Sequence, residues 1–246
     1  MIAYIVVITS FVNKQVDNIT CRNIMIDVRD SMQLSFVTKN EIFNIIHNDK
    51  HNILGESLTE RKLFEIEQRV SSIDELGSAE VYITVDGILH VEVDQRDPIV
   101  RIISSFGNSY FIDNYGFVIQ HNYKYTPRII VITGNVEMPD ESIASGDINS
   151  LPEDSKIKKL FSLASFINND EFWKGQIEQV WVGDNDDVQL IPRIGQHIIN
   201  FGPVENVDQK FDYLRTFYME VIPVAGWNKY REINLRYDGQ IVCKKR

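Results

Sequence analysis

Between Cys21 and Pro98 the apolar spacing changes from a period of two to a period near 3.6 and back again, and few folds accommodate that order in so short a stretch. Ile24, Ile26 and Val28 alternate with Asn23, Met25 and Asp27, as in a half-buried strand. Thr38-Lys39-Asn40-Glu41 has the form of a capping box ahead of Ile42, Ile45 and Ile46. Ser57-Leu58-Thr59-Glu60 has the same form ahead of Leu63, Ile66, Val70 and Ile73, which share one helical face. Two alternating runs, Ala79 to Val85 and Ile88 to Val93, flank Asp86-Gly87. That dipeptide favours a type I′ hairpin, in which both central residues have positive φ. The order strand, helix, helix, strand, strand predicts two helices on one face of a three-stranded sheet.

After Pro98 short strands dominate. Ile99 to Ile103, Tyr110 to Asp113, Phe117 to Gln120, Arg128 to Thr133, Gln176 to Val182, Val188 to Pro192 and His197 to Phe201 read as strands. Two helical stripes interrupt them, Ile157/Leu160/Ala164/Ile167 and Val207/Phe211/Leu214/Tyr218/Val221. A second Asp-Gly pair, Asp238-Gly239, joins Glu232 to Tyr237 with Gln240 to Lys244, which is the expected final strand. The fold class is α+β, with a division near Asp97 and Pro98.

At the other end Met1 to Val12 is apolar except for Thr9 and Ser10. Twelve helical residues reach about 18 Å, against a hydrocarbon core of about 30 Å. The segment has no basic start or small-x-small cleavage pattern. It reads as the end of a membrane anchor, as a buried strand, or as a short anchor or signal of an unusual kind.

Chemistry-bearing patterns are sparse. With 25 Lys and Arg against 35 Asp and Glu, the net charge of −10 argues against nucleic-acid binding, which requires a basic surface. Cys21 and Cys243, the two cysteines, are too few and too far apart for a disulfide framework or a zinc cage. His47 and His51 share a helical spacing, but Asn48-Asp49-Lys50 between them is loop-like. Asp184, Asp186 and Asp187 lack the glycine and closing glutamate of a calcium loop, and read as a solvated hairpin tip. Trp173, Trp181 and Trp227 are expected in the core or on strand faces rather than on a ligand. There is no G-x-S-x-G and no P-loop, and no spacing singles out an acid–base pair of carboxylates. No catalytic residue, metal, cofactor or small-molecule substrate is expected.

The strand–helix–helix–strand–strand unit resembles a POTRA domain. It closes on Val93-Asp94-Gln95-Arg96-Asp97-Pro98-Ile99-Val100, similar to the Glu-Arg-x-Pro-Val-Ala segment that joins POTRA to the β domain in the bacterial cell-division family FtsQ/DivIB. The likeness continues in order through Tyr110-Phe111-Ile112-Asp113-Asn114-Tyr115-Gly116, then Pro127 followed by Gly134. Ile198-Ile199-Asn200-Phe201-Gly202 with Lys210, and Ile233-Asn234-Leu235-Arg236-Tyr237, complete it. Cys21 before the first strand and Phe36-Val37-Thr38 before the first helix make the chain similar to the variants of Bacteroidetes-like bacteria.

The resemblance implies an arrangement of residues 1–12 as the C-terminal part of a single transmembrane helix, 20–97 as a POTRA-like domain and 98–246 as an FtsQ-type β domain with flanking helices. It implies a non-enzymatic scaffold and regulator of the divisome, single-pass in the inner (plasma) membrane with its bulk on the periplasmic, extracytoplasmic side. The expected partners are FtsB- and FtsL-like proteins, held by strand addition at the last strand, and other divisome proteins reached through the POTRA unit. The corresponding docking residues are Tyr237, Gly239, Gln240, Ile241, Val242, Cys243 and Lys244. Lys244 stands where some members carry Trp, and with Lys245 and Arg246 it makes a basic tip that suits an acidic partner segment. Two other readings are a POTRA-bearing component of outer-membrane assembly or secretion, which continues into a β-barrel, and a periplasmic hydrolase.

Overall fold

The computed structural model describes residues 19–29, 34–47, 52–120, 125–137 and 146–246. The apolar stretch from Met1 to Val12 lies outside them, as does His51. The described chain separates into two compact units between Arg96 and Asp97, with Tyr125 and Thr126 grouped in the first.

The first unit runs β1 (Asn23–Arg29), α1 (Lys39–Ile46), α2 (Glu60–Ser71), β2 (Leu76–Ile83) and β3 (Ile88–Gln95). Its sheet has the order β1-β3-β2, with β1 parallel and β2 antiparallel to β3. The chain reaches the parallel neighbour of β1, which is β3, only after both helices and β2, a connection as long as parallel pairing requires. The Thr38 hydroxyl accepts the Glu41 N–H at 3.3 Å and the Glu41 carboxylate accepts the Thr38 N–H at 2.9 Å, so the first capping box forms in full. The second does not form as spelled. Ser57 is held in an extended bridge to Thr20, and α2 starts two residues later with Thr59 as its cap, accepting from the Lys62 N–H. Ile42, Ile46, Ile66 and Val70 of the helices are buried, as are Val28, Leu89, Val91 and Val93 of the sheet.

The hairpin at Asp86-Gly87 also differs from expectation. Ile83 pairs with Leu89, Thr84 N–H donates to the Ile88 carbonyl at 3.0 Å, and only Gly87 has positive φ, at 87°. The loop is therefore three residues, Val85 to Gly87, closed by one left-handed glycine. A type I turn followed by a left-handed residue matches the strand twist as well as type I′ does, and both favour Asp-Gly.

The second unit is a single sheet of nine strands with helices on one face. Its strands are β4 (Pro98–Ile103), β5 (Ser109–Asp113), β6 (Val118–Gln120), β7 (Ile130–Gly134), β8 (Ile177–Val182), β9 (Val188–Pro192), β10 (Ile198–Gly202), β11 (Tyr230–Asn234) and β12 (Val242–Lys245). Helices α3 (Lys156–Asn169) and α4 (Glu171–Gln176) lie between β7 and β8, and α5 (Val207–Thr216) and α6 (Ile222–Ala225) between β10 and β11. The sheet order is β12-β11-β10-β9-β8-β7-β4-β5-β6. The β7–β8 and β10–β11 neighbours, each joined through helices, are parallel.

The covered face holds the core, including Ile102, Ile132, Val180, Leu190, Ile199 and Phe201 from the strands and Leu160, Leu163, Phe211 and Leu214 from the helices. Trp173 is 1% exposed there, and its ring centroid lies 4.9 Å from that of Phe211. The expected last helical stripe is interrupted. A π turn over Phe217–Val221 joins α5 to α6. Pro223 has no N–H to return to the carbonyl four residues back, and the widened turn accommodates that loss.

Candidate docking edge

β12 is the end strand of the nine-stranded sheet and pairs with β11 alone among the described strands. Asn234, Ile233 and Glu232 stand opposite Val242, Cys243 and Lys244. One row of β12 backbone groups therefore bonds inward and the alternate row faces out. The sheet's opposite end is finished differently. On the outer rim of β6, Val118 N–H donates to the Gly146 carbonyl at 3.0 Å. Ile148 N–H donates to the Gly116 carbonyl at 2.9 Å, and Phe117 bridges to Asp147. That end is capped by the chain itself, whereas among the described residues the β12 end is not.

Of the seven expected docking residues, Val242, Cys243 and Lys244 lie in β12, while Gln240 and Ile241 lie just before it and Tyr237 and Gly239 in the connecting turn. The hairpin is thus shorter in its strands than the expected Glu232–Tyr237 and Gln240–Lys244. Leu235 N–H crosses to the Asn200 carbonyl of β10, and Arg236 N–H is taken by the Asn234 side chain at 3.0 Å, so Arg236 does not continue the ladder. Gly239, with φ of 71°, is the left-handed position of the turn, and Asp238 keeps negative φ.

The side chains at this end are divided by face. Cys243 and Ile241 pack against the core cluster. On the open face, the rows Ile198–Glu232–Lys244 and Asn200–Asn234–Val242 run across three strands. Tyr237 is 51% exposed and Val242 45%. The basic tip is partly engaged. Lys244 Nζ lies 3.6 Å from Glu232, and Arg236 is ion-paired with Asp187. Arg246 is fastened at the end of the strand, its guanidinium donating to the Gln196 side chain at 2.7 Å and the Gln196 carbonyl at 2.8 Å. The clamp leaves Arg246 and Lys245 without a carboxylate partner among the described residues. Burial pushes the Cys243 thiol above its ordinary pKa, which disfavours the thiolate.

The other candidates lead elsewhere. Asp186 pairs with Lys156 at 2.6 Å and Asp187 with Arg236, so two of the three carboxylates of the acidic turn are held by cations. His47 Nδ1 accepts from the Ile53 N–H at 3.4 Å. Among the described residues no group of three or more His, Cys, Asp or Glu is placed to hold a metal ion. Both cysteines are free thiols.

Two buried polar devices escaped the sequence reading. Gln95, 7% exposed, accepts the Phe36 and Val37 N–H groups at 2.9 and 3.0 Å and donates to the Leu34 carbonyl at 3.1 Å. His197 Nε2 lies 2.7 Å from the Tyr218 hydroxyl beneath Trp227. Burial lowers the His197 pKa below its usual value, with nearby Arg246 acting in the same direction.

Residues 97–244 match the family model described as FtsQ/DivIB, C-terminal related, which is well over half of the chain. The chain belongs to the FtsQ/DivIB family. Residues 19–94 match the POTRA-like domain model, which agrees with the β-α-α-β-β unit described above. No curated protein matches the chain. FtsQ/DivIB proteins are membrane-associated division proteins and are generally non-enzymatic. Among the described residues no helix of this FtsQ/DivIB member is long and apolar enough to cross a membrane.

Proposed function

We propose that this FtsQ/DivIB member is a scaffold and regulator of septum formation that captures FtsB- or FtsL-type partners by adding their strand to β12. The observation that carries the reading is the asymmetry of the nine-stranded sheet, capped at β6 and, among the described residues, uncovered along the outer side of β12. An added strand gains affinity from main-chain bonds and choice from alternate side chains. Val242 and Tyr237 supply exposed apolar contact, and Lys245 and Arg246 favour an acidic segment near the strand end. Membrane association of the family supports a plasma-membrane protein with its two domains on the extracytoplasmic side, and the Met1–Val12 stretch suits part of its anchor. Other divisome proteins would be met by the POTRA unit.

A pull-down with an FtsB-like peptide tests the reading. Tyr237→Ala is expected to weaken capture and removal of Gln240 to Arg246 to abolish it. Capture unchanged by both alterations refutes docking at this edge.

A further inference from the structure

At one end of strands β4, β7 and β8 the second unit has a cavity of about 150 Å³. Its floor includes Ile99, Ile130 and Ile177, which are 5%, 8% and 2% exposed. Its rim carries three exposed cations on three different segments. Arg128 precedes β7, Lys174 lies in the last turn of α4, and Arg193 follows β9. The Arg193 backbone is fixed by its N–H donating to the Gln176 carbonyl at 2.7 Å. None of the three has a carboxylate within ion-pair distance among the described residues, although Asp97 also lines the cavity. Several other cations are neutralised, such as Arg29 by Glu92 and Asp94, Lys62 by Glu56, and Lys156 by Asp186. In a chain with net charge −10, three unpaired cations around one apolar floor are a local reversal of sign.

The geometry points to a second docking pocket, one that takes a single acidic side chain, a glutamate in an apolar setting, from a partner protein. Size excludes larger ligands. A cavity of about 150 Å³ admits a group about as large as benzene, whereas cofactor and drug-sized sites span about 300–1,000 Å³. A glutamate matches the chemistry, because its methylenes suit the isoleucine floor and its carboxylate suits a guanidinium fork. Asp97 on the rim opposes a phosphate dianion more than a single carboxylate. An anionic bilayer is a poorer occupant, since an extended anionic surface meets the field of the whole acidic chain while one side chain meets the pocket. The pocket is independent of the proposed docking edge, because β8 and β12 are four strand spacings apart in the sheet order, about 19 Å.

The test is a titration of the full chain, carrying labelled isoleucine methyls, with acetyl-Leu-Glu-Leu-amide. Acetyl-Leu-Gln-Leu-amide, inorganic phosphate and phosphatidylglycerol vesicles serve as separate arms. The glutamate peptide is expected to shift the Ile99, Ile130 and Ile177 methyl signals, with the glutamine peptide at least about tenfold weaker. Arg193→Glu and Arg128→Glu should each weaken the glutamate peptide by at least about tenfold, and Arg193→Lys should restore part of the loss. If Arg193→Glu disturbs the spectrum outside the pocket, Lys174→Glu on the surface of α4 replaces it. Equal response to the two peptides, indifference to charge reversal, no response to the glutamate peptide, or shifts with phosphate or vesicles alone would each overturn the assignment.

Discussion

Gln95→Leu isolates the buried amide that ties the segment before α1 to the end of β3. In the native chain the Gln95 carboxamide satisfies two backbone donors, Phe36 and Val37, and one acceptor, Leu34. Leucine preserves the bulk and removes these three bonds, together with a longer one of 3.5 Å to the Arg29 carbonyl. Phe36, Val37 and Leu34 are 2%, 6% and 9% exposed, so water does not readily replace the lost partner. A stranded buried polar group costs about 1–3 kcal/mol, so three cost about 3–9 kcal/mol. The extra apolar burial of leucine returns at most about 3 kcal/mol, which leaves a loss of several kcal/mol in the worse half of that range. In a unit of this size each kcal/mol lowers the melting temperature by about 4–8 °C. Calorimetry of the full chain should show the first unit melting at least about 10 °C lower, and hydrogen exchange at Phe36 and Val37 should accelerate. Gln95→Glu keeps both acceptor bonds and loses the donor bonds to the Leu34 and Arg29 carbonyls, so exchange at those two amides should stay slow while stability still falls. A Gln95→Leu protein with native melting and native exchange would refute the reasoning.

Lowering the pH provides a second check. The folded His197 imidazole titrates below its ordinary value of 6.5 because it is buried. The unfolded chain therefore binds the proton first, and its stability contribution is complete above that value and is lost as pH falls through it. The slope is at most about 1.4 kcal/mol per pH unit. Urea midpoints at pH 7.5 and 5.5 should separate, and His197→Asn should narrow the gap. Asp113 is 1% exposed and accepts the Tyr115 and Phe117 N–H groups at 2.9 and 2.8 Å. Asp113→Ala should cost about 2–4 kcal/mol in chemical denaturation and Asp113→Asn clearly less, since the amide oxygen still accepts. Proline placed singly at Cys243 and at Lys244 should behave oppositely, because neighbouring residues of an antiparallel pair alternate between inward and outward N–H groups. One variant should lose melting temperature, and the other should lose partner capture while melting normally.

Where structure follows from neighbours in sequence, the chain was readable. Thr38 and Glu41 are three residues apart, and their reciprocal bonds need only the local backbone. The buried faces of α1 and α2 follow from spacing. The loop at Asp86-Gly87 is one residue longer than expected because Asp-Gly serves both a two-residue type I′ loop and a three-residue loop closed by a single left-handed glycine, whereas the last hairpin opens after Asn234 because Leu235 N–H is taken by β10 and Arg236 N–H by the Asn234 side chain. The start of α2 was misplaced because Ser57 is captured by Thr20, thirty-seven positions earlier, which no local pattern signals. Gln95 belongs to a residue type that is mostly exposed, so only the fold reveals it as a clamp. The candidate edge was suggested by the last hairpin. That β6 is sealed by Gly146 and Asp147 while, among the described residues, β12 is not depends on strand order, which periodicity does not encode.

Hydrogen exchange along β12, measured with and without an FtsB-type peptide, tests the central claim most directly. Peptide addition should slow alternate amides between Val242 and Lys245, those facing away from β11, and leave β6 unchanged. Protection that misses β12, or that falls on the first unit alone, would contradict strand addition at this edge.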